Sequence, residues 1–168
     1  MPEAIDVYRY IAEQTRDIVG DAIVGVASFD PASKTLSTRA VIGLGNLAEA
    51  LTTLLGCDIG CWHDRMTDEA VAALSTARLS PVPGGLYGLF FRRPPIGFSR
   101  WVERFCDLGD LFAIGLVADG QLRGDVVIAL RSGATIQNRG AVEAFAAQSA
   151  ALLAAPSVAD ASGGQPAE

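Results

Sequence analysis

The chain has 168 residues, half of them hydrophobic and 19% charged, which indicates a folded protein with one full-sized core and excludes a disordered chain. A formal net charge of −6 and the lack of any run of Lys or Arg argue against nucleic acid or an anionic membrane surface as partner. With no signal-peptide pattern and no apolar run of about 20 residues, we expect a cytoplasmic protein with reduced thiols.

The first part of the chain predicts a helix followed by a hairpin. Apolar residues recur at helical spacing over residues 2–19, and Gly20 can take the left-handed conformation that ends a helix. Two apolar strands are predicted at 22–29 and 35–42, with a turn-forming segment at 30–34 between them.

The middle of the chain predicts short helices and little regular strand. Segment 57–67 has almost no periodicity, and Thr67 is a good N-cap for the helix that follows. Pro95 suits the start of the longest middle helix, and Gly109 is expected to end it. The apolar stripe of that helix is Phe98, Trp101, Val102, Phe105 and Leu108. The other predicted elements are helices at 47–55, 68–78 and 86–91 and an edge strand at 79–82.

The last part predicts a second hairpin, residues 111–130, around the turn dipeptide Asp119-Gly120. Its strands are apolar on both sides, so we expect helices to cover both faces of the sheet. Gly115 and Gly124 indicate a bulge or a close approach, most simply by a helix. A final amphipathic helix is predicted at 141–153 after the cap residue Asn138.

The order of elements predicts an α+β fold. Two hairpins can pair into one antiparallel sheet, with the terminal helices on one face and the irregular middle helices on the other. We assign residues 1–155 to this domain. The small, polar, Pro- and Gly-rich residues 156–168 are expected to be a disordered tail or the stub of a linker.

Three segments carry a resemblance to a known family. The end of the chain reads DLFAIGLVADGQLRGDVVIALRSG and then NRGAVEAFAAQSAALL, and the opening reads DAIVGVASFDPASKTLSTRAVIGLG. Together they resemble a GAF domain, the PAS-related sensory module, over residues 3–153. The segment VPGGLYGLFFRRPP is similar to a subgroup found in bacterial and archaeal sensor histidine kinases.

That resemblance implies a small-molecule sensor of a signal-transduction system, without catalytic residues. It implies a ligand held between the sheet and the middle helices, a homodimer formed through the terminal helices, and a kinase or other signalling output domain as partner. The predicted ligand-binding residues are Trp62, His63, Met66, Tyr87, Phe90, Phe91, Arg92, Trp101 and Phe105. Arginines in this region can pair a carboxylate or phosphate. The aromatic residues can equally form ordinary core.

The thiols leave two further alternatives open. Cys57, Cys61 and His63 are candidate ligands for a metal ion or haem, although their spacing does not match a known zinc motif and their apolar neighbours favour inert thiols. The presence of three cysteines resembles the free methionine-(R)-sulfoxide reductases, whose C-G-x-A and I-A-C-D signatures are absent here. A dimerisation or scaffold module with a closed interior is the remaining alternative.

Overall fold

The structure, a computed structural model, describes residues 6–45, 48–49, 52, 58–89, 92 and 95–155. The described chain opens with a helix and hairpin, continues through short elements, and closes with a hairpin and helix. In chain order the elements are α1 (Val7–Val19), β1 (Ala22–Asp30), β2 (Thr35–Ile42), a 3-10 helix (Ile59–Cys61), β3 (His63–Arg65), α2 (Asp68–Ser75), β4 (Ser80–Pro81), α3 (Gly85–Leu89), α4 (Ile96–Phe105), β5 (Leu108–Ala118), β6 (Gln121–Arg131) and α5 (Arg139–Ala154).

The hairpin of β5 and β6 lies at the centre of the sheet. Asp119 and Gly120 form its turn with φ angles of 52° and 71°, as the Asp-Gly dipeptide predicts. β6 also pairs antiparallel with β1, which joins the β1–β2 hairpin to the central one. The short strands β3 and β4 complete the order β3-β2-β1-β6-β5-β4. The prediction of two hairpins paired in one antiparallel sheet is confirmed.

One face of the sheet, called here the core face, carries large buried side chains. Val24, Ile114 and Ile128 lie on it and are fully buried. Each such side chain contributes about 1.5–3 kcal/mol by leaving water. The helices α1 and α5 cover this face with Ile11, Ala12, Val142, Ala146 and Ala150. The terminal helices therefore share one face of the sheet, as predicted.

The opposite face, called here the cavity face, carries smaller side chains. Directly opposed residues on it are Ile23 and Ala129, Gly25 and Val127, and Ala27 and Asp125. The helices α2, α3 and α4 lie over this side and contact β5. The predicted α+β arrangement, with terminal helices on one face and middle helices on the other, is confirmed.

Gly115 allows α2 to rest directly on the cavity face. A Cβ added there would lie 1.9 Å from the carbonyl oxygen of Leu74 in α2, so the close approach predicted at this glycine is made by a helix. We expect Gly115→Ala to displace α2 and lower the free energy of unfolding by about 2 kcal/mol.

Gly25 provides the matched control for that prediction. It lies on the same face, and the nearest atoms to an added Cβ are 4.0 Å away. Gly25→Ala should therefore be as stable as the wild type or slightly more so, because alanine loses less backbone entropy on folding. Urea unfolding measures the free energy of unfolding of both variants. Equal values would show that the position of α2 does not require glycine at position 115.

Side-chain caps set the starts of two helices. Asp6 accepts hydrogen bonds from the first turn of α1, which begins at Val7, whereas the sequence predicted a helix from residue 2. Gly20, at φ 89°, ends α1 as predicted. Thr67 caps α2 as predicted, although that helix ends at Ser75 and not at residue 78.

Two predictions about α4 are wrong. The helix ends at Phe105, and the residues predicted as its last turn, Leu108 and Gly109, begin β5. Trp101 and Phe105, predicted on its buried stripe, are 43% and 45% exposed, whereas Ser99 is 2% exposed. The apolar pattern spans more of the helix circumference than the cavity face covers, so the aromatic edge of the stripe stays in solvent.

The segment that lacked periodicity contains ordered structure. The 3-10 helix and β3 lie within it, and β3 pairs with the outer edge of β2. The edge strand predicted at 79–82 is the short β4. Most of the helix predicted at 47–55, and the whole tail 156–168, lie outside the described residues.

Candidate functional site

A cavity of about 210 Å³ lies between the cavity face and the elements above it. It exists because Gly25 and Ala27 on β1 and Ala129 on β6 leave the sheet surface low, while α4 and the 3-10 helix bridge over it. The sheet contributes Ile23, Gly25, Val26, Ala27, Leu36, Thr38, Val41, Asp64, Leu108, Leu111, Asp125, Val127 and Ala129. The covering elements and loops contribute Leu44, Ile59, Trp62, Leu86, Leu89, Phe98, Ser99, Val102 and Cys106.

Asp125 is the main polar group on the floor of this cavity. It is 5% exposed and lies on β6 between Ala27 and Gly115, its small neighbours on the two flanking strands. No hydrogen bond or ion pair to its carboxyl group occurs among the described residues. Burial raises the pKa of Asp125 from 3.8 to about 7, because a carboxylate loses its hydration there without gaining a partner.

Ser99 provides a second polar group, from the roof. It lies on α4, is 2% exposed, and its Oγ has no hydrogen-bond partner within the part of the chain that the structure describes. A buried serine in a helix commonly donates to the carbonyl four residues earlier. Ser99 does not, and its hydroxyl is available to a molecule in the cavity.

The rest of the lining is apolar except at one end. Asp64 of β3 is 7% exposed and contributes a second carboxyl group from the far edge of the sheet, and Thr38 lies between the two aspartates. None of the described lining residues is Lys, Arg or His. Within the described lining, Asp125 and Ser99 therefore offer a carboxyl group and a hydroxyl group to a ligand, and no cation is offered to an anionic one.

Of the predicted aromatic site residues that the structure describes, one lies at the cavity. Trp62 lines it. Met66 is buried elsewhere, Tyr87 is half-buried without lining the cavity, and His63 and Arg92 are exposed. Phe90 and Phe91 lie outside the described residues.

The other two predicted aromatic residues form an external stack. The rings of Trp101 and Phe105 are 4.9 Å apart between centroids, with Phe98 next to Trp101 at 6.5 Å. Phe98 is the member that lines the cavity. The sequence predicted that Trp101 and Phe105 form a wall of the ligand pocket. In the structure, the neighbouring face of α4, which carries Ser99 and Val102, lines the cavity.

The candidate metal ligands do not form a cluster in the described residues. Cys61 and His63 are both exposed, and Cys57 lies outside the described part. No group of three His, Cys, Asp or Glu side chains suited to a metal ion occurs where the structure describes the chain. Cys106 lines the cavity, and burial raises the pKa of its thiol although the charge of Arg131 opposes this. A thiol of this kind is a poor nucleophile.

Comparison with solved structures identifies the architecture. The GAF domain/HD domain protein from Geobacter sulfurreducens superposes with a TM-score of 0.61 at 16% identity, over 89% of this chain and 91% of that chain. The GAF domain from Acinetobacter phosphoenolpyruvate-protein phosphotransferase gives a TM-score of 0.58 at 11% identity, over 96% of this chain and 89% of that one. The chain has the GAF fold.

A third GAF-fold neighbour is part of a larger unit. The chromophore-binding domain of Stigmatella aurantiaca bacteriophytochrome gives a TM-score of 0.59 at 17% identity, over 92% of this chain but 56% of that chain. No family model matches the sequence, and no curated protein sequence matches it. The GAF resemblance stated from the sequence is thus supported through three-dimensional structure.

Sequence reasoning missed the polar residues of this GAF-fold cavity. Asp125 interrupts an otherwise apolar strand, and a charged residue at a position expected to be buried on both sides was a usable signal. Ser99 lacked such a signal, because a serine within an amphipathic helix is common on either face. Asp64 lies in the segment without periodicity, so the sequence did not predict which way its side chain points.

Proposed function

We propose that this GAF-fold domain is a small-molecule-sensing regulatory module of a signal-transduction system, with its ligand held between the sheet and the middle helices. The observation that carries the proposal is the cavity of about 210 Å³ with two buried polar groups facing it, Asp125 and Ser99. Concave apolar pockets with a few polar groups are the usual form of small-molecule sites, and buried polar groups are rarely left without partners. A bound molecule would fill the space and satisfy both groups.

The position of α4 supports a coupling between ligand binding and a change at the protein surface. Its inner side lines the cavity through Ser99 and Val102, and its outer side presents Trp101 and Phe105 to solvent. A ligand that prefers one position of α4 would shift the population of that position. The contact between the exposed aromatic stack and an output domain such as a kinase would then change with ligand occupancy of the cavity.

The terminal helices supply a second part of the proposal, a homodimer. Tyr10 on α1 and Leu152 on α5 are 40% and 53% exposed, on the helices that cover the core face. Tyr10 also packs edge-on against Phe145, which links the two helices into one surface. Apolar side chains on such a surface favour association with a second copy.

The alternatives receive less support. A scaffold module with a packed interior does not account for the cavity, and the raised pKa of Cys106 does not favour a thiol-based methionine sulfoxide reductase. No described helix is long and apolar enough to cross a bilayer. We retain the cytoplasm as the proposed location.

Filling the cavity tests the proposal. Gly25→Val adds a side chain that points into the cavity from β1, where the structure leaves room for it. Gly97→Val is the matched control, because its Cβ would point into open space on α4. We expect ligand-observed NMR to detect binding of at least one of 2-phenylethylamine, 2-phenylethanol and phenylacetate to the wild type and to Gly97→Val, with loss of at least about tenfold in affinity in Gly25→Val.

Two results would count against the sensor. Absence of binding by all three compounds to the wild type would favour the scaffold alternative. Equal binding by Gly25→Val and the control would place the compounds somewhere other than the cavity.

A further inference from the structure

We propose that the ligand of this cavity is a small apolar amine whose protonated amino group pairs with Asp125 and donates to Ser99. The inference rests on the proposed sensory function and specifies its ligand. It follows from the position, chemistry and surroundings of two side chains that the fold buries without giving them a described partner.

The charge of the lining selects against anions. Asp64 and Asp125 contribute carboxyl groups from opposite parts of the sheet, and no described lining residue carries a positive charge. A carboxylate or phosphate ligand would lose its hydration there without gaining a described cationic partner, which costs several kcal/mol in a site of low polarity. Arg92, one of the arginines that the sequence offered as a partner for an anion, is exposed and does not line the cavity.

The lining combines two buried polar groups with a mainly apolar surround. Asp125 is on the floor beside Ala27, whose small side chain leaves space on that flank, and Ser99 is on the roof. The remaining volume is bounded mainly by aliphatic and aromatic side chains, among them Val102 and Leu111. A molecule with one amino group and a compact hydrocarbon portion satisfies both regions.

The cavity volume limits the size of that molecule. An engineered apolar cavity of about 150 Å³ is known to hold benzene. The cavity here, about 210 Å³, has room for a ring of that size and a short chain. An arylalkylamine such as 2-phenylethylamine meets the size, the apolar body and the single charge.

Ionisation links the empty and occupied states. Without a ligand, burial keeps Asp125 largely protonated up to about pH 7, so the empty cavity avoids an unpaired buried charge. An ammonium group gives the carboxylate a partner and favours its ionised form. The other titratable lining groups are Asp64 from β3 and Cys106 beyond α4, and the raised pKa of Cys106 keeps that thiol neutral over this range. Arg123 is the nearest charged residue along β6, two positions before Asp125, and its Nε is buried without a described hydrogen-bond partner.

Titration calorimetry with three matched compounds tests the proposal. The probes are 2-phenylethylamine, the neutral 2-phenylethanol and the anionic phenylacetate, each added to the wild type, Asp125→Asn and Ser99→Ala. At pH 8 we expect the wild type to bind the amine at least about tenfold more tightly than the alcohol, because the amine forms a charge-assisted bond to a buried carboxylate.

The variants and the pH series add readouts that a structural role would not change. Asp125→Asn should lose at least about tenfold in affinity for the amine and little for the alcohol, and Ser99→Ala should lose a few-fold for the amine. Amine affinity for the wild type should rise about tenfold between pH 6 and pH 8 as Asp125 ionises, since a primary amine stays protonated up to about pH 10. Asp125→Asn should show no such rise.

Failure of this inference is distinguishable from failure of the sensory function. Preference of the wild type for the alcohol or the acid, or unchanged amine affinity in Asp125→Asn, would overturn the amine assignment and leave a ligand-binding cavity. Absence of binding by all three probes would overturn both. Circular dichroism of each variant establishes that it is folded before its affinity is interpreted.

Discussion

Replacing Asp125 by asparagine should make the protein markedly more stable at pH 8 than the wild type, with a much smaller gain at pH 5. The pKa of Asp125 is about 7 in the folded protein and 3.8 as the ordinary value. Between these values the folded state holds a proton that the unfolded state has lost. The stability contributed by this group is therefore complete at low pH and is lost as the pH rises through about 7.

The size of the effect follows from the same linkage. Each pH unit between the two pKa values changes the free energy of unfolding by about 1.4 kcal/mol. From pH 5 to pH 8 the wild type should lose about 3 kcal/mol of stability through Asp125, and Asp125→Asn should not. Urea unfolding of both proteins across this range measures the difference.

The control is the same chemical change at an exposed position. Asp17 is exposed on α1, so Asp17→Asn should leave the pH dependence of the wild type unchanged. The groups that share the cavity with Asp125, namely Asp64 and Cys106, remain in all three proteins. If the free energy of unfolding changes with pH in the same way in the wild type and in Asp125→Asn, then Asp125 is ionised and solvated in the folded protein and needs no cationic partner.

Replacing Arg131 by methionine should destabilise the protein by about 3 kcal/mol, because two bonds from a charged donor are lost. Arg131 Nη1 donates to the carbonyl of Cys106 at 2.7 Å, and Nη2 donates to the carbonyl of Gly43 at 3.0 Å. Its Nε lies 3.7 Å from the carboxylate of Asp21. One side chain at the end of β6 thus joins the end of α4 to the loop after β2.

A second arginine gives the matched comparison. Arg9→Met removes an exposed arginine whose described partner is Glu13, one turn along α1 at 2.9 Å. Exposed ion pairs of this kind contribute little to stability, so the free energy of unfolding of this variant should be close to that of the wild type. Urea unfolding compares the two variants, and equal effects would show that Arg131 does not connect the elements around the cavity.

The loss of Arg131 should also affect the cavity. The carbonyl groups it holds belong to Cys106, which lines the cavity, and to Gly43, which precedes the lining residue Leu44. Hydrogen exchange should therefore increase first at the end of α4 and at the loop after β2 in Arg131→Met. This localised response separates a role in holding the cavity from a general loss of stability.

The sheet was predictable from sequence because its signals are local. The Asp119-Gly120 dipeptide specifies a hairpin turn, and continuous apolar runs beside it specify strands covered on both faces. Thr67 and Gly20 likewise mark helix ends through their own backbone and side-chain preferences. Such features need no knowledge of distant residues.

The site was less predictable because burial depends on distant packing. Trp101 and Phe105 have the hydrophobicity of wall residues, yet the rotation of α4 over the sheet directs Ser99 inward in their place. A rotation of a helix by one position changes which side chains face the sheet while leaving the apolar pattern nearly the same. For that reason, the aromatic residues of α4 do not by themselves identify the side chains that line the cavity.

The sequence by itself determined the two hairpins, the terminal helices and the α+β order, because turn chemistry and apolar periodicity act over a few residues. Only the tertiary structure decided that Gly25 and Ala27 would lie beside Val127 and Asp125 and leave a hollow there. Cross-strand register brings those residues together, and register depends on pairing between segments about a hundred residues apart, which local preferences do not encode.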